Sequence, residues 1–167
     1  MKLLVDADSC SAAARAIIQK RAAKENIPLH FAANRPIPFD LPYHPLVETG
    51  IFVMEVCPVE KDAADNRLVA LAQEGDVAVT RDIPLAARLV KKNVHTLDDR
   101  GRIFTQENIR HCLSLRNFNI AIAGNGRPER AASYGGKEKK TFADSLDRII
   151  TAATSRESSR AQSDVKS

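Results

Sequence analysis

Short apolar runs alternate with longer amphipathic stretches along this chain. Residues 2 to 6, around Leu3-Leu4-Val5, read as a buried strand, and Leu29 to Ala33, Ile51 to Val56, Val77 to Thr80 and Val94 to Leu97 as further short strands. Between them lie residues 11 to 25, Asp62 to Glu74 and Ile83 to Lys92, which read as helices. The first of these carries Ile17 and Ile18 among its apolar positions and turns Arg15, Lys20, Arg21 and Lys24 outward. The third opens on Ile83-Pro84, with proline tolerated in a first turn. Strands separated by helices of about ten or more residues cannot be hairpins, so the pattern predicts a mostly parallel sheet with helices on both faces. Residues 34 to 45 hold four prolines and are expected to be a loop. After a turn at Arg100-Gly101, Thr105 is placed to cap a helix with Glu107 in its first turn, ending near Arg116 or Phe118. Gly124-Asn125-Gly126 and Tyr134-Gly135-Gly136 mark loops, and residues 139 to 153 a last helix. From Thr154 onward almost nothing is available to bury, so the expected organisation is one α/β domain over 1–153 and a disordered polar tail over 154–167.

Composition narrows the class. The 167 residues, 44% hydrophobic and 28% charged, suit one globular domain. No apolar stretch approaches the ~20 residues of a membrane helix. The N-terminus carries one lysine before entering the first strand, without signal-peptide organisation, and the expected location is cytoplasmic. Cys10, Cys57 and Cys112 are an odd set without CxxC spacing, and His30, His44, His95 and His111 lack zinc spacing, so reduced thiols and no zinc site are expected. Charge is unevenly spread. Residues 1–87 carry 9 Lys and Arg against 12 Asp and Glu, whereas 88–148 carry 13 against 7. Acid in one half and base in the other suits a metal-dependent enzyme acting on a polyanion, although a solvated surface has the same composition.

The acidic residues have a pattern of their own. Asp6 and Asp8 stand two apart at the end of the first strand and so project together. Asp62, Asp65 and Asn66 share a helical stripe, and Asp82 follows another strand directly. In parallel sheets the carboxyl ends of strands converge on one crevice, where like charges raise one another's pKa unless a cation intervenes. Mg²⁺ or Mn²⁺ is the simplest occupant, with Asp6, Asp8, Asp65 and Asp82 as ligands and Asp62 as a further one. Helix capping competes for Asp8, Asp62 and Asp82. Ser9 and Cys10 invite a nucleophile reading, against which small-residue packing is favoured. Arg35, Arg81 and Lys61 flank the acids as phosphate partners or surface charges. Phe39, Tyr43 and His44 either stack bases or pin their loop to the core.

Five segments together carry a family resemblance: Val5-Asp6-Ala7-Asp8-Ser9-Cys10, Ala33-Asn34-Arg35-Pro36-Ile37, Asp62-Ala63-Ala64-Asp65-Asn66, Val79-Thr80-Arg81-Asp82-Ile83-Pro84-Leu85-Ala86 and Arg100-Gly101-Arg102-Ile103-Phe104-Thr105-Gln106-Glu107-Asn108-Ile109. Over residues 2 to 150 the chain resembles the UPF0178 (YaiI/YqxD, DUF188) family of bacteria. That family has no established function and is grouped with PIN-like domains. The resemblance implies a PIN-like three-layer α/β sandwich and metal-dependent nuclease chemistry at the clustered acids. Catalytic Asp6, Asp8, Asp65 and Asp82, substrate contacts from Asn34, Arg35, Arg81 and Arg100, and RNA as partner follow as expectations. Two departures stand out: Asp98 or Asp99 where relatives often have Asn, and Tyr134-Gly135-Gly136-Lys137 where they have a longer Thr-Gly-Gly-Pro segment. Two other functions fit the same acids: a non-catalytic metal- or RNA-binding module, and a phosphatase with Asp6 as nucleophile and Asp8 as acid. The latter requires a lysine and a later acidic pair in the crevice, for which Gly75-Asp76 is too weakly placed. Oligomeric state is not legible.

Overall fold

The computed structural model describes residues 1–122 and 134–164. Its strands are β1 (Leu3–Asp6), β2 (Leu29–Ala33), β3 (Phe52–Val56), β4 (Val77–Val79), β5 (His95–Leu97) and β6 (Ile103–Phe104), in the sheet order β3-β2-β1-β4-β5-β6. Neighbours are parallel except β6, which returns antiparallel to β5. The helices are α1 (Ala12–Lys24), α2 (His44–Glu48), α3 (Ala63–Leu71), α4 (Ile83–Lys91), α5 (Ile109–Ile122) and α6 (Gly136–Asp164). The α/β class expected from the pattern is the one observed.

Alternation along the strands sorts the helices into layers. Leu3, Val5, Phe31, Val77 and Val79 pack with Ile18 and Ala22 of α1 and with Phe142, Leu146 and Ile150 of α6. Leu4, Ala32 and Ala78 point the other way, onto Ala64 and Leu68 of α3 and Leu85 and Leu89 of α4. Each fully buried Leu or Phe contributes about 1.5–3 kcal/mol relative to exposure. Outside α4 lies α5, seated through Ile109 and Cys112 on Ala86, Val90 and Phe104.

Several elements depart from the sequence expectation. Residues 34–40 are irregular, but Leu41–Tyr43 forms a 3-10 turn leading into α2, because Pro42 and Pro45 occupy first-turn positions where the missing N–H costs nothing. Phe39 of the same loop is buried and stacks on Phe31 at 4.7 Å, while Tyr43 lies 5.8 Å from Phe52, so these aromatics pin the loop rather than face bases. β6 is too short to leave a periodic signal. Gly101 in the preceding turn has φ +89°, and a Cβ there would meet the Thr141 carbonyl oxygen at 2.7 Å; the turn is pressed against α6. Thr105 caps the entry to α5 as expected, with the reciprocal bonds of a capping box: Asn108 N–H donates to Thr105 Oγ1 (3.2 Å), Thr105 N–H to Asn108 Oδ1 (2.9 Å), and Ile109 N–H to the Thr105 carbonyl (3.0 Å). α5 continues past Phe118 to Ile122. Ala153 is the last buried side chain described, yet α6 runs on to Asp164, its backbone bonds propagating from a turn already held by the core. The Gly124-Asn125-Gly126 expectation and residues 165–167 lie outside the described residues. Among the described residues no helix is long and apolar enough to cross a membrane.

Candidate functional site

From β1 the chain winds outward to β2 and β3, then returns to place β4 on the other side of β1 and continues to β5. Helices packed on such a sheet part beyond the carboxyl ends at this reversal, leaving a crevice. Asp6 ends β1 on the face of Leu4, and so turns toward α3 and α4. It is only 6% exposed. Its Oδ2 accepts from Thr80 Oγ1 at 2.8 Å and its Oδ1 from Ser9 N–H at 3.4 Å. Thr80 Oγ1 accepts in turn from Asp82 N–H at 3.0 Å. One hydroxyl thus ties the end of β1 to the start of α4 across the reversal.

Five aspartates, Asp6, Asp8, Asp62, Asp65 and Asp82, line one cleft of about 330 Å³ together with Ser9, Asn34 and the first residues of α3. Asp82 is indeed an N-cap: Oδ1 accepts from Leu85 N–H at 2.8 Å, and the residue still borders the cleft. Asp8 does not cap α1, because Ser11 takes that place by accepting from Ala14 N–H at 3.3 Å. Instead Asp8 Oδ2 accepts from Asn34 N–H (2.6 Å) and Oδ1 from Arg35 Nε (3.3 Å). Asp62 holds the N-cap position of α3 in the left-handed region, φ 60°, and its side chain makes no capping bond. Asp65, in the first turn of α3, has its carboxyl pushed up to about 6, first by burial and then by the charges of Asp6, Asp82 and Asp62.

The donor set is all hard oxygen, as a small divalent cation requires, and mutual repulsion at Asp65 is what such a cation relieves. In chemistry the residues fit Mg²⁺ or Mn²⁺. In placement the fit is looser: among the described residues no three His, Cys, Asp or Glu side chains are already arranged to hold one ion.

The residues expected around the acids divide. Asn34 lines the cleft. Arg35 stands at the rim, its side chain 72% exposed and paired with Asp8. Arg81 follows β4, but its Nε lies 3.6 Å from Asp99 Oδ1. Arg100 does not line the cleft; its charge acts on Glu138 and Tyr134 at the start of α6. Asn66 accepts from Arg88 Nη2 at 2.8 Å on the helix surface. Cys10 is buried, and burial together with Asp99 pushes its thiol far up, which makes it packing rather than a nucleophile. Asp98 and Asp99 join neither the cleft nor the surface: Asp98 Oδ1 accepts from the N–H groups of Arg100 and Arg102 at 3.0 and 2.9 Å, and Asp99 Oδ2 from Ser11 N–H at 3.0 Å. The phosphatase arrangement finds no support among the described residues, where no lysine lines the cleft and Asp76 sits at the opposite end of β4 against Lys2. What the sequence concealed is Thr80, whose role as a bridge depends on two strands meeting that are far apart along the chain.

The sequence profile described as "Uncharacterized BCR, YaiI/YqxD family" (DUF188) matches residues 4–152. The chain is 43% identical over 150 residues to a UPF0178 protein of Treponema pallidum, covering 89% of this chain and 80% of that one. It is 42% identical over 154 residues to a UPF0178 protein of Treponema denticola, with 92% and 94% covered. A UPF0178 protein of Syntrophobacter fumaroxidans is 40% identical over 153 residues, with 90% and 95% covered. No solved structure matches.

Proposed function

The chain belongs to the UPF0178 (YaiI/YqxD) family, and we propose that its acidic cleft is the centre of a Mg²⁺- or Mn²⁺-dependent phosphodiesterase acting on RNA, with a PIN-like arrangement of the active site. One observation carries the reading: five aspartates from three separate segments converge at the reversal of the sheet, where Asp65 is forced up to about 6 largely by burial and by the others. Asp6, Asp8, Asp65 and Asp82 would hold the ion, with Asp62 alongside. A bound divalent cation supplies Lewis acidity toward a phosphoryl oxygen and a water of lowered pKa. The chain's own work is orientation. Thr80 Oγ1 fixes the Asp6 carboxylate and the backbone of Asp82 in one geometry. Asn34 N–H and Arg35 fix Asp8. Arg35, exposed at the rim, meets a phosphodiester backbone, whereas Arg81, next to Asp82 in the chain, is drawn to Asp99 and would have to leave it to reach a phosphate.

The experiment is cleavage of end-labelled single-stranded and structured RNAs with Mn²⁺, Mg²⁺ or EDTA, using the wild type, Asp6→Asn and Asp65→Asn. Metal-dependent cleavage lowered on the order of 10²–10⁴-fold in both variants is expected, the range for removing one group that acts on the transition state. Wild-type protein as inert as the variants across substrates and metals would overturn the hydrolytic reading. Retention of RNA without product, weakened by salt and indifferent to metal, would establish a binding module instead.

A further inference from the structure

Asp99 follows the carboxyl end of β5 but does not line the acidic cleft, and its side chain is only 1% exposed. Its Oδ2 accepts from Ser11 N–H at 3.0 Å, at the N-cap of α1, where the helix dipole favours a negative charge. Its Oδ1 accepts no hydrogen bond from any described residue. A buried carboxylate oxygen in that state is costly unless a cation stands near it. The cation paired with it is Arg81, whose Nε lies 3.6 Å away, inside ion-pair range and beyond hydrogen-bond length. Arg15, which acts on Cys10 together with Asp99 and Arg81, is committed elsewhere, donating to the carbonyls of Ala7 and Cys10.

Arg81 is equally unspent. Its backbone is fixed at the edge of the cleft, because its N–H donates to Ser9 Oγ at 3.0 Å, and Ser9 and the next residue, Asp82, both line the cleft. Its side chain is 45% exposed and makes no hydrogen bond among the described residues, so every guanidinium N–H is available. Charge alone holds the pair. A phosphate offers this guanidinium what Asp99 does not, namely two short, charge-assisted hydrogen bonds in its own plane. When Arg81 leaves, Asp99 keeps the Ser11 N–H and the positive end of α1, so its buried charge is not left uncompensated.

We propose that Asp99 is a positioning residue that holds Arg81 in reserve beside the cleft, and that a phosphate of the substrate polyanion takes the guanidinium over from it. This rests on the reading of the cleft as a site for a phosphodiester polymer, and adds that Asp99 sets how readily the cation is surrendered. The test is binding rather than cleavage. A fluorescent oligouridylate of about ten nucleotides, within the span of a single-strand site, is titrated by anisotropy with Ca²⁺ as the hard cation, and its integrity is checked on a gel. The proteins are the full-length wild type, Asp99→Asn, Arg81→Gln and the double variant. Asn keeps an oxygen for Ser11 N–H and removes the charge that competes for Arg81. Asp99→Asn should bind about two- to five-fold more tightly, the strength of a partly exposed ion pair. Arg81→Gln should bind about ten-fold more weakly, with the slope of log K against log salt shallower by about 0.7. The double variant should match Arg81→Gln, because the acid acts only through the arginine. No gain in Asp99→Asn overturns the proposal, as does a wild type that binds no oligouridylate. A gain that persists without Arg81 also overturns it, since that is the general effect of removing a negative charge near a polyanion. Dichroism and melting identify the folded variants. If the buried substitution at Asp99 does not fold, carbon-13 NMR decides: the Asp99 carboxyl resonance should move on saturation with oligouridylate in the wild type and stay in place in Arg81→Gln, and a wild-type resonance that stays in place overturns the proposal. These responses without any cleavage in Mn²⁺ would sink the hydrolytic reading and leave this inference standing; cleavage with no response at Asp99 and Arg81 would do the reverse.

Discussion

The two ends of β4 treat carboxylates in opposite ways. At the amino end Asp76 is 3% exposed and fully occupied: it accepts from Lys2 N–H (2.9 Å), Lys2 Nζ (2.6 Å) and Gln73 N–H (2.8 Å). At the carboxyl end Asp65 faces Asp6, Asp82 and Asp62, no donor among the described residues meets its side chain, and its carboxyl rises to about 6. One end is arranged to pair a buried charge, the other to assemble charges of one sign. Assembly of that kind costs stability in the unliganded protein, and folds concentrate such costs where ligands bind. Asp76 is therefore structural, and the cleft aspartates, with no such pairing at Asp65, are the acids on which the proposed ion site rests.

The largest effect that tests this contrast is at the paired end. Asp76→Ala removes the acceptor of two backbone N–H groups, those of Lys2 and Gln73, and the partner of Lys2 Nζ, and should lower unfolding stability by about 2–4 kcal/mol. Urea melts with EDTA and with Mn²⁺ should show the same loss, because Asp76 has no part in the cleft. A comparable shift in the opposite direction is expected from metal itself. At a concentration one hundred times its Kd, a cation that binds only the folded state stabilises by about 2.7 kcal/mol. Thermal melts should rise with Mn²⁺ in the wild type and not in Asp6→Asn. A rise of equal size in both would break the contrast, since it would place the ion elsewhere.

The contrast was half legible in the sequence. Asp6 and Asp8 after Leu3-Leu4-Val5, and Asp82 after Val77-Ala78-Val79, mark strand ends by local pattern alone, and the layers of helices follow from strand alternation. Thr80 was not legible as a bridge, because its bond to Asp6 spans 74 positions in the chain. The same holds for Asp98 and Asp99, where burial decides their role and no local pattern reports burial. Short elements such as β6 and α2 escape because a few residues cannot establish a period.

Smaller shifts sharpen the picture at single positions. Asp65 has a folded-state carboxyl raised from 3.8 to about 6, so its protonated form is the one folding favours. Its contribution is fully present below pH 3.8 and is lost as pH rises through about 6, which leaves the neutral-pH protein destabilised. In EDTA, Asp65→Asn should therefore raise stability at pH 7 by about 1–2 kcal/mol, after discounting the shift for solvent screening of a partly exposed group. Below pH 4 that gain should vanish. A gain that persists unchanged at low pH would point to packing rather than relief of charge.

Asp82 separates capping from ion binding at one residue, and the expected effects are the smallest. Its Oδ1 accepts from Leu85 N–H at the start of α4, a bond that an Asn side-chain oxygen reproduces and Ala does not. Metal-free Asp82→Asn should melt within a few tenths of a kcal/mol of the wild type, whereas Asp82→Ala should lose about 1 kcal/mol. A hard cation, however, prefers carboxylate to amide oxygen, so Asn should forfeit most of the Mn²⁺-induced rise while keeping the cap. If Asp82→Asn keeps both, Asp82 belongs with Asp76 as a structural acid, and the ion-binding set contracts to Asp6, Asp8, Asp62 and Asp65.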